Sequence, residues 1–318
     1  SSSAPDVRPH DAPRGVAARR MLANVEAVSG RPLLSVVAAL AVTVVACGGA
    51  GDTATPARPA GGDETTTTAP ADAAPTTTAT TAPATPPLTR PDWLGTRVLN
   101  PVPGEPPPPT PPELDPRILP TVDVLPPPAD GAFHAAVQPV PADVVARSTW
   151  QETCPVTLDD LRYVTLSFWG FDDKAHTGEL IVHRDAADAM VQVFGQLFAE
   201  RFPIEDMRVS SMADLDAPNT GDGNTTAAFV CRPTRGSSRW SEHAYGLAVD
   251  VNPFQNPYVR DGGVIPGLAG SYLDRANVRP GMLERGTGPV AAFAAIGWRW
   301  GGEWENPRDY MHFSANGR

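Results

Sequence analysis

Ser241-Glu242-His243-Ala244-Tyr245-Gly246-Leu247-Ala248-Val249-Asp250 is the stretch on which the reading of this chain turns. Leu247–Val251 alternates small and apolar residues and runs into Asn252-Pro253, the pattern of a short strand ending in a turn. An isolated carboxylate at the end of such a strand, as at Asp250, is costly to bury. A loop entering the strand at Gly246 can bring the imidazole of His243 beside it. One imidazole and one carboxylate are half of a zinc site. Asp309-Tyr310-Met311-His312-Phe313 offers a second imidazole and a second acid. Two nitrogens, one oxygen and a spare carboxylate suit a catalytic zinc that keeps one position open for water. Spacing alone leaves a structural His–Asp hydrogen bond as the alternative.

Outward from that stretch, the C-terminal block reads as an α+β domain: a small antiparallel sheet with flanking helices. Tyr163–Phe168 and Gly178–His183 have strand patterning. Asp185 is the expected N-cap of a helix running to about Phe202, with Ala189, Val193, Leu197 and Phe198 at helical spacing and Pro203 as the stop. Further strands are expected at Met207–Val209 and Thr226–Cys231, and a short helix over Pro289–Ala295 ends at Gly297. His176 and His183 are expected to be structural. Trp298, Trp300 and Trp304 are expected in the core or groove wall, and Glu303 and Glu305 in solvent. Residues 255–285 read as a loop bordering the cleft or as a surface excursion.

The chain has 318 residues, a formal net charge of −11 and 37 prolines, most of them before residue 142. The charge argues against affinity for nucleic acid or for an anionic membrane surface. A segment so rich in Pro, Thr and Ala has too few large apolar side chains to offset its ordering entropy. Three parts follow: residues 1–47 as an export signal, 48–141 as a disordered linker, and 142–318 as one folded domain. In the first, Leu33–Ala46 is apolar for about fourteen residues, too short to span a membrane comfortably. Arg19, Arg20 and Arg31 precede it, as in a secretory signal. Met21 is a candidate translation start.

Val44-Val45-Ala46-Cys47 resembles a bacterial lipobox. That resemblance implies cleavage before Cys47, lipid on its thiol, and a domain held by this anchor alone on the outer face of the cell membrane, or secreted. Cys154 and Cys231 are then left as a candidate disulfide in an oxidising compartment. Their bridge would close a loop of about 77 residues, contributing about 4 kcal/mol in the chain-entropy treatment. The alternative is two separate buried thiols.

A more specific resemblance covers roughly residues 150–318. Ser241-x-His243-x-x-Gly246-x-Ala248-x-Asp250, Gly297-Trp298-x-Trp300-Gly301-Gly302-x-Trp304 and Asp309-x-x-His312-Phe313 are similar to the zinc D-alanyl-D-alanine carboxypeptidase and L-alanyl-D-glutamate endopeptidase family, of the hedgehog/DD-peptidase fold. The likeness continues through Gly178–His183, Phe202-Pro203-Ile204, Thr225–Arg232 and Asn252-Pro253-x-x-Asn256-Pro257-Tyr258. The Trp-Gly-Gly stretch points to the endopeptidase-like branch. The resemblance implies that His243, Asp250 and His312 bind Zn²⁺, that Asp309 is the general base, and that Arg232 engages the substrate. Ser241 is a candidate for hydrogen bonding a ligand or the substrate. The implied partners are stem or cross-bridge peptides of peptidoglycan, met by a monomer. Two rivals are a zinc-stabilised wall-binding module of the same fold without catalysis, and a structural lipoprotein spanning the wall.

Overall fold

The computed structural model describes residues 89–100 and 106–318. The signal, Cys47 and the start of the linker lie outside the described residues.

The first layer is a three-stranded antiparallel sheet of β1 (Ala135–Gln138), β2 (Leu161–Trp169) and β3 (Ala175–His183), with α1 (Ala142–Arg147) between the first two in sequence. Alternation along β2 and β3 sends their side chains to two faces. Val164, Leu166, Phe168, Leu180 and Val182 face one cluster, which includes Met190, Val193, Phe194 and Leu197 of α2 (Ala187–Ala199). Leu161, Tyr163 and Ile181 face another, with Val144 of α1, Val209 and Phe229. The sheet is covered on both sides, which is why its apolar residues are nearly continuous.

The helix after β3 begins differently from expectation. Asp185 is not its cap: a 3₁₀ turn, Arg184–Ala186, precedes α2, and the His183 ring accepts from the Asp185 amide at 3.2 Å. The chain leaves α2 through Arg201 in the left-handed region, φ 54°. Next come β4 (Asp206–Met207), α3 (Met212–Asp216) and β5 (Thr225–Thr226), with β4 and β5 paired in parallel. The strand expected at 226–231 is thus reduced to its first residue, although Ala227 still bridges to Asp250.

The site-bearing part contains β6 (Ala248–Asp250), β7 (Tyr258–Arg260), β8 (Gly263–Ile265), α4 (Gly288–Ala295), β9 (Arg299–Trp300), β10 (Arg308–Asp309) and β11 (His312–Ser314). They form two antiparallel sheets, ordered β6-β11-β9 and β10-β7-β8. Val249 and Phe313 are cross-strand partners buried in the main core, where Phe313 stacks on Phe293 of α4 with ring centroids 3.9 Å apart. The mixed fold with small antiparallel sheets and few helices agrees with the α+β expectation.

Packing extends to residues before 142, within the stretch expected as linker. Leu114 and Leu119 are fully or almost fully buried in a cluster with Phe254, Leu268 and Tyr272, against which Trp93, Leu94 and Leu99 also rest. Arg117 is 2 % exposed; its guanidinium donates to both oxygens of Glu205, at 2.6 and 2.9 Å, and to the Asp222 carbonyl at 2.7 Å. This proline-rich strap is therefore part of the folded unit from Thr89 onward, apart from residues 101–105, which are not described.

Candidate metal centre and cleft

Strand pairing builds the centre. Asp250 of β6 and His312 of β11 are register partners, one step from the buried Val249–Phe313 pair, so alternation turns them to the face opposite the core. His243 arrives from a 3₁₀ turn, Glu242–Tyr245, closed by Gly246 at φ 68°. A Cβ on Gly246 would lie 2.5 Å from the His183 amide nitrogen, so this turn admits only glycine there without displacement. The expectation that a loop hinging at Gly246 brings His243 to Asp250 is what the coordinates show.

His243 Nε2, His312 Nδ1 and Asp250 Oδ1 form a triangle with sides of 3.1, 3.2 and 3.3 Å. The other nitrogen of each ring faces a backbone oxygen: His243 Nδ1 is 2.6 Å from Ala228 O, and His312 Nε2 is 2.9 Å from Arg318 O. A carbonyl can only accept, so those nitrogens carry hydrogens and the inward nitrogens of neutral rings present lone pairs. Three electron-rich atoms then converge on one point and need positive charge between them. Ligands of a tetrahedral zinc with bonds of about 2.0–2.1 Å stand about 3.3 Å apart. The donor set and its backbone-oriented rings fit such an ion.

The same geometry governs the ionisation of the metal-free site. Burial works against a charged His312, but its hydrogen bond to Asp250 and the charges of Asp250 and Asp309 prevail and hold it up to about 9. Burial opposes a charged Asp250 as well, and His243 and His312 outweigh it, keeping the carboxylate well below its usual range.

Asp309 lies on β10, paired with Tyr258 of β7. Burial, reinforced by the charge of Asp250, pushes its carboxyl up to about 7, against the opposing pull of His312 and Arg232. Its Oδ1 is buried without a hydrogen-bond partner among the described residues. Gly301 explains the Trp-Gly-Gly stretch: a Cβ there would stand 2.7 Å from the Asp309 carbonyl oxygen and 3.4 Å from His312 Cβ. Trp300 locks the same turn by donating to the Tyr310 carbonyl at 2.7 Å.

A cleft of about 170 Å³ opens beside the triad, lined by Arg232, His243 and Asp250 together with Arg208, Asp214 and Thr225. Arg208 is engaged bidentately by Asp214, at 2.9 Å twice, whereas the Arg232 guanidinium bonds the Pro233 carbonyl at 3.2 Å. Burial lowers the Arg232 pKa from its usual value. Ser241 joins this wall through its backbone, donating to the Arg232 carbonyl at 3.2 Å; no hydrogen bond of its hydroxyl is among those of the described residues. Trp298 and Trp300 are core residues, while the Trp304 ring lies 5.5 Å from that of His312. His176 stands apart, held between Asp123 and Asp172 at 2.8 and 2.9 Å.

The structure contains the Cys154–Cys231 disulfide, with Cα atoms 5.9 Å apart. Sequence reasoning missed the cleft wall formed by Arg208 and Asp214. Their hydrogen-bonded turn, in which Asp214 accepts from the Ser211 amide and Ser211 Oγ accepts from the Asp214 amide, is a capping box whose Ser-x-x-Asp spacing was available to find it.

Neither the curated proteins nor the solved structures contained a match to this chain. Residues 235–315 match the family model described as D-alanyl-D-alanine carboxypeptidase, a stretch that holds His243, Asp250, Asp309 and His312 and starts just past Arg232, and that match supports a peptidase of this family.

Proposed function

We propose that this protein is an exported zinc-dependent peptidase that hydrolyses peptide bonds of bacterial peptidoglycan. The observation that carries the reading is the convergence of three lone pairs from His243, Asp250 and His312 within 3.3 Å, each imidazole oriented by a backbone oxygen. Zinc held there would supply Lewis acidity toward a carbonyl and a water acidic enough to react near neutral pH.

The chain's own residues do the rest. Asp309, held near neutrality by its burial, is suited to take a proton from the attacking water and return it to the departing amine. Its unpartnered Oδ1 is the acceptor for that exchange. This also favours catalysis over a metal-clipped binding module, because burying an unsatisfied carboxyl oxygen costs stability that such a module has no reason to bear. Arg232 cannot serve as a base; its planar fork on the cleft wall suits a substrate carboxylate or a developing oxyanion. Trp304 would border the bound peptide beside His312.

The test is digestion of purified peptidoglycan by the protein with and without a chelator, followed by mass analysis of the released fragments. Free D-alanine identifies a carboxypeptidase and internal cuts an endopeptidase. Peptidoglycan left intact by zinc-loaded protein refutes the reading.

A further inference from the structure

Resting on the reading of Arg232 as the residue that meets a substrate carboxylate or oxyanion, we propose that the Cys154–Cys231 disulfide and Thr149 are positioning elements that hold Arg232 on the cleft wall.

Cys231 and Arg232 are adjacent in sequence but serve different surroundings. Cys231 and Cys154 pack against the cluster of Tyr163, Ile181, Val209 and Phe229, whereas Arg232 lines the cleft with His243 and Asp250. The Cys231 side chain is fixed by the bond to Cys154, and its amide donates to Oγ1 of the buried Thr149 at 2.9 Å. On the cleft side, the Val230 amide donates to the His243 carbonyl at 3.1 Å and the Ser241 amide to the Arg232 carbonyl at 3.2 Å. Beyond Arg232 the chain runs into an exposed turn over 233–239.

The Arg232 guanidinium has only the neighbouring Pro233 carbonyl as a hydrogen-bond partner among the described residues. No carboxylate pins its head, as Asp214 pins that of Arg208. A long side chain without such a partner is placed by its backbone, and here the backbone is clamped between the disulfide and the residues flanking His243. The disulfide thereby ties the Arg232 segment to the core behind it, while Asp250 and His312 are held by their own strand pairing.

The experiment compares the wild-type chain with Cys154→Ser/Cys231→Ser, Thr149→Val and Arg232→Ala, and with each of the first two in the Arg232→Ala background. The probe is a soluble muropeptide whose stem carries L-Ala-D-Glu and D-Ala-D-Ala bonds and free carboxylates, followed at the bond that the wild-type protein cuts. Removing the disulfide is expected to raise KM about tenfold, and Thr149→Val about threefold, with kcat nearly unchanged. Zinc content should not change. In the Arg232→Ala background both effects on KM should vanish, as expected for a coupled pair. Persistence of the KM rise without Arg232, or its absence with Arg232 present, overturns the proposal. Thr149→Val keeps the bond and decides the matter if the paired serine protein fails to fold. Relaxation of the Arg232 Nε–H group gives a reading independent of turnover: an order parameter unchanged by loss of the disulfide overturns positioning. A wild-type protein that cuts no bond of these stem peptides refutes the reading of the site instead.

Discussion

Asp250 and His312 face each other directly across the β6–β11 ladder, with Asp250 Oδ1 3.1 Å from His312 Nδ1. Residues 62 positions apart thus become neighbours through one strand pairing, and the buried Val249–Phe313 pair beside them fixes which face they occupy. A one-residue slip of either strand would turn that strand's ligand into the core. In the proposed reading, metal affinity and ladder register are therefore one property of this fold.

That dependence predicts how ligand loss behaves. His243→Ala, made outside the ladder, should abolish stoichiometric zinc binding and hydrolysis together while leaving the β6–β11 pairing intact. Metal analysis of the purified protein, with far-ultraviolet circular dichroism as the control for fold, checks this. A variant that still retains one tightly bound zinc would remove His243 from the ligand set.

Proton release is the second prediction. In the metal-free protein a proton on His312 supplies the positive charge the triad needs, since His312 is held up to about 9. Its folded pKa is raised above the unfolded value, so this contribution to stability is full below about 6.5 and is lost as pH rises toward 9. At pH 7.5, zinc must displace that proton, and affinity should climb with pH up to about 9. Calorimetric titrations in buffers of different ionisation enthalpy should show about one proton released per zinc from this residue. No release at that pH would mean that His312 is already neutral before the metal arrives.

Asp309 gives a third prediction, separating binding from chemistry. Asp309→Ala should keep zinc and lower turnover about 10²–10⁴-fold, the usual contribution of a positioned acid–base group. In the metal-free protein its raised carboxyl also makes stability fall as pH rises, over a lower range than His312. Protonated Asp309 stabilises the fold fully below about 4, and that contribution is lost as pH rises toward 7. Asp309→Asn should flatten this part of the stability profile, measured by urea unfolding at several pH values. Full turnover by Asp309→Ala would end the general-base assignment.

How much of this was legible in the sequence follows from the range of the interactions. β2, β3 and α2 are nine to thirteen residues long and carry their own periodicity, so local pattern finds them. The ligand motifs were legible because Gly246 and the alternation of Leu247–Val251 state a turn and a strand within a few residues. β9 and β10 are two residues each and exist only through their partners, so no local signal marks them, whereas β4 and β5 overlap the starts of longer expected strands. The strap's packing is hard to read from the sequence for a related reason. Prolines dominate its composition, while its packing rests on Leu114, Arg117 and Leu119, and the acid that receives Arg117 is 88 residues away.

The strap yields the last prediction. Arg117 and Glu205 are both almost completely removed from solvent, and Asn224 Nδ2 adds a hydrogen bond to the same carboxylate at 2.7 Å. Removing Arg117 leaves the buried Glu205 carboxylate only the partly exposed Arg90, 3.2 Å away, as a countercharge, at a cost approaching the about 3–5 kcal/mol of a broken buried pair. Arg117→Ala should therefore destabilise the protein by about that amount in chemical unfolding, more than a typical surface arginine would. Arg117→Met/Glu205→Gln should recover much of the loss, because replacing both charges by groups of similar volume removes the stranded carboxylate. A chain begun at residue 142 lacks Arg117, Leu114 and Leu119 altogether. It should unfold at lower denaturant than one begun at residue 89, and equal midpoints for the two would show that the strap's packing contributes nothing to the stability of the domain.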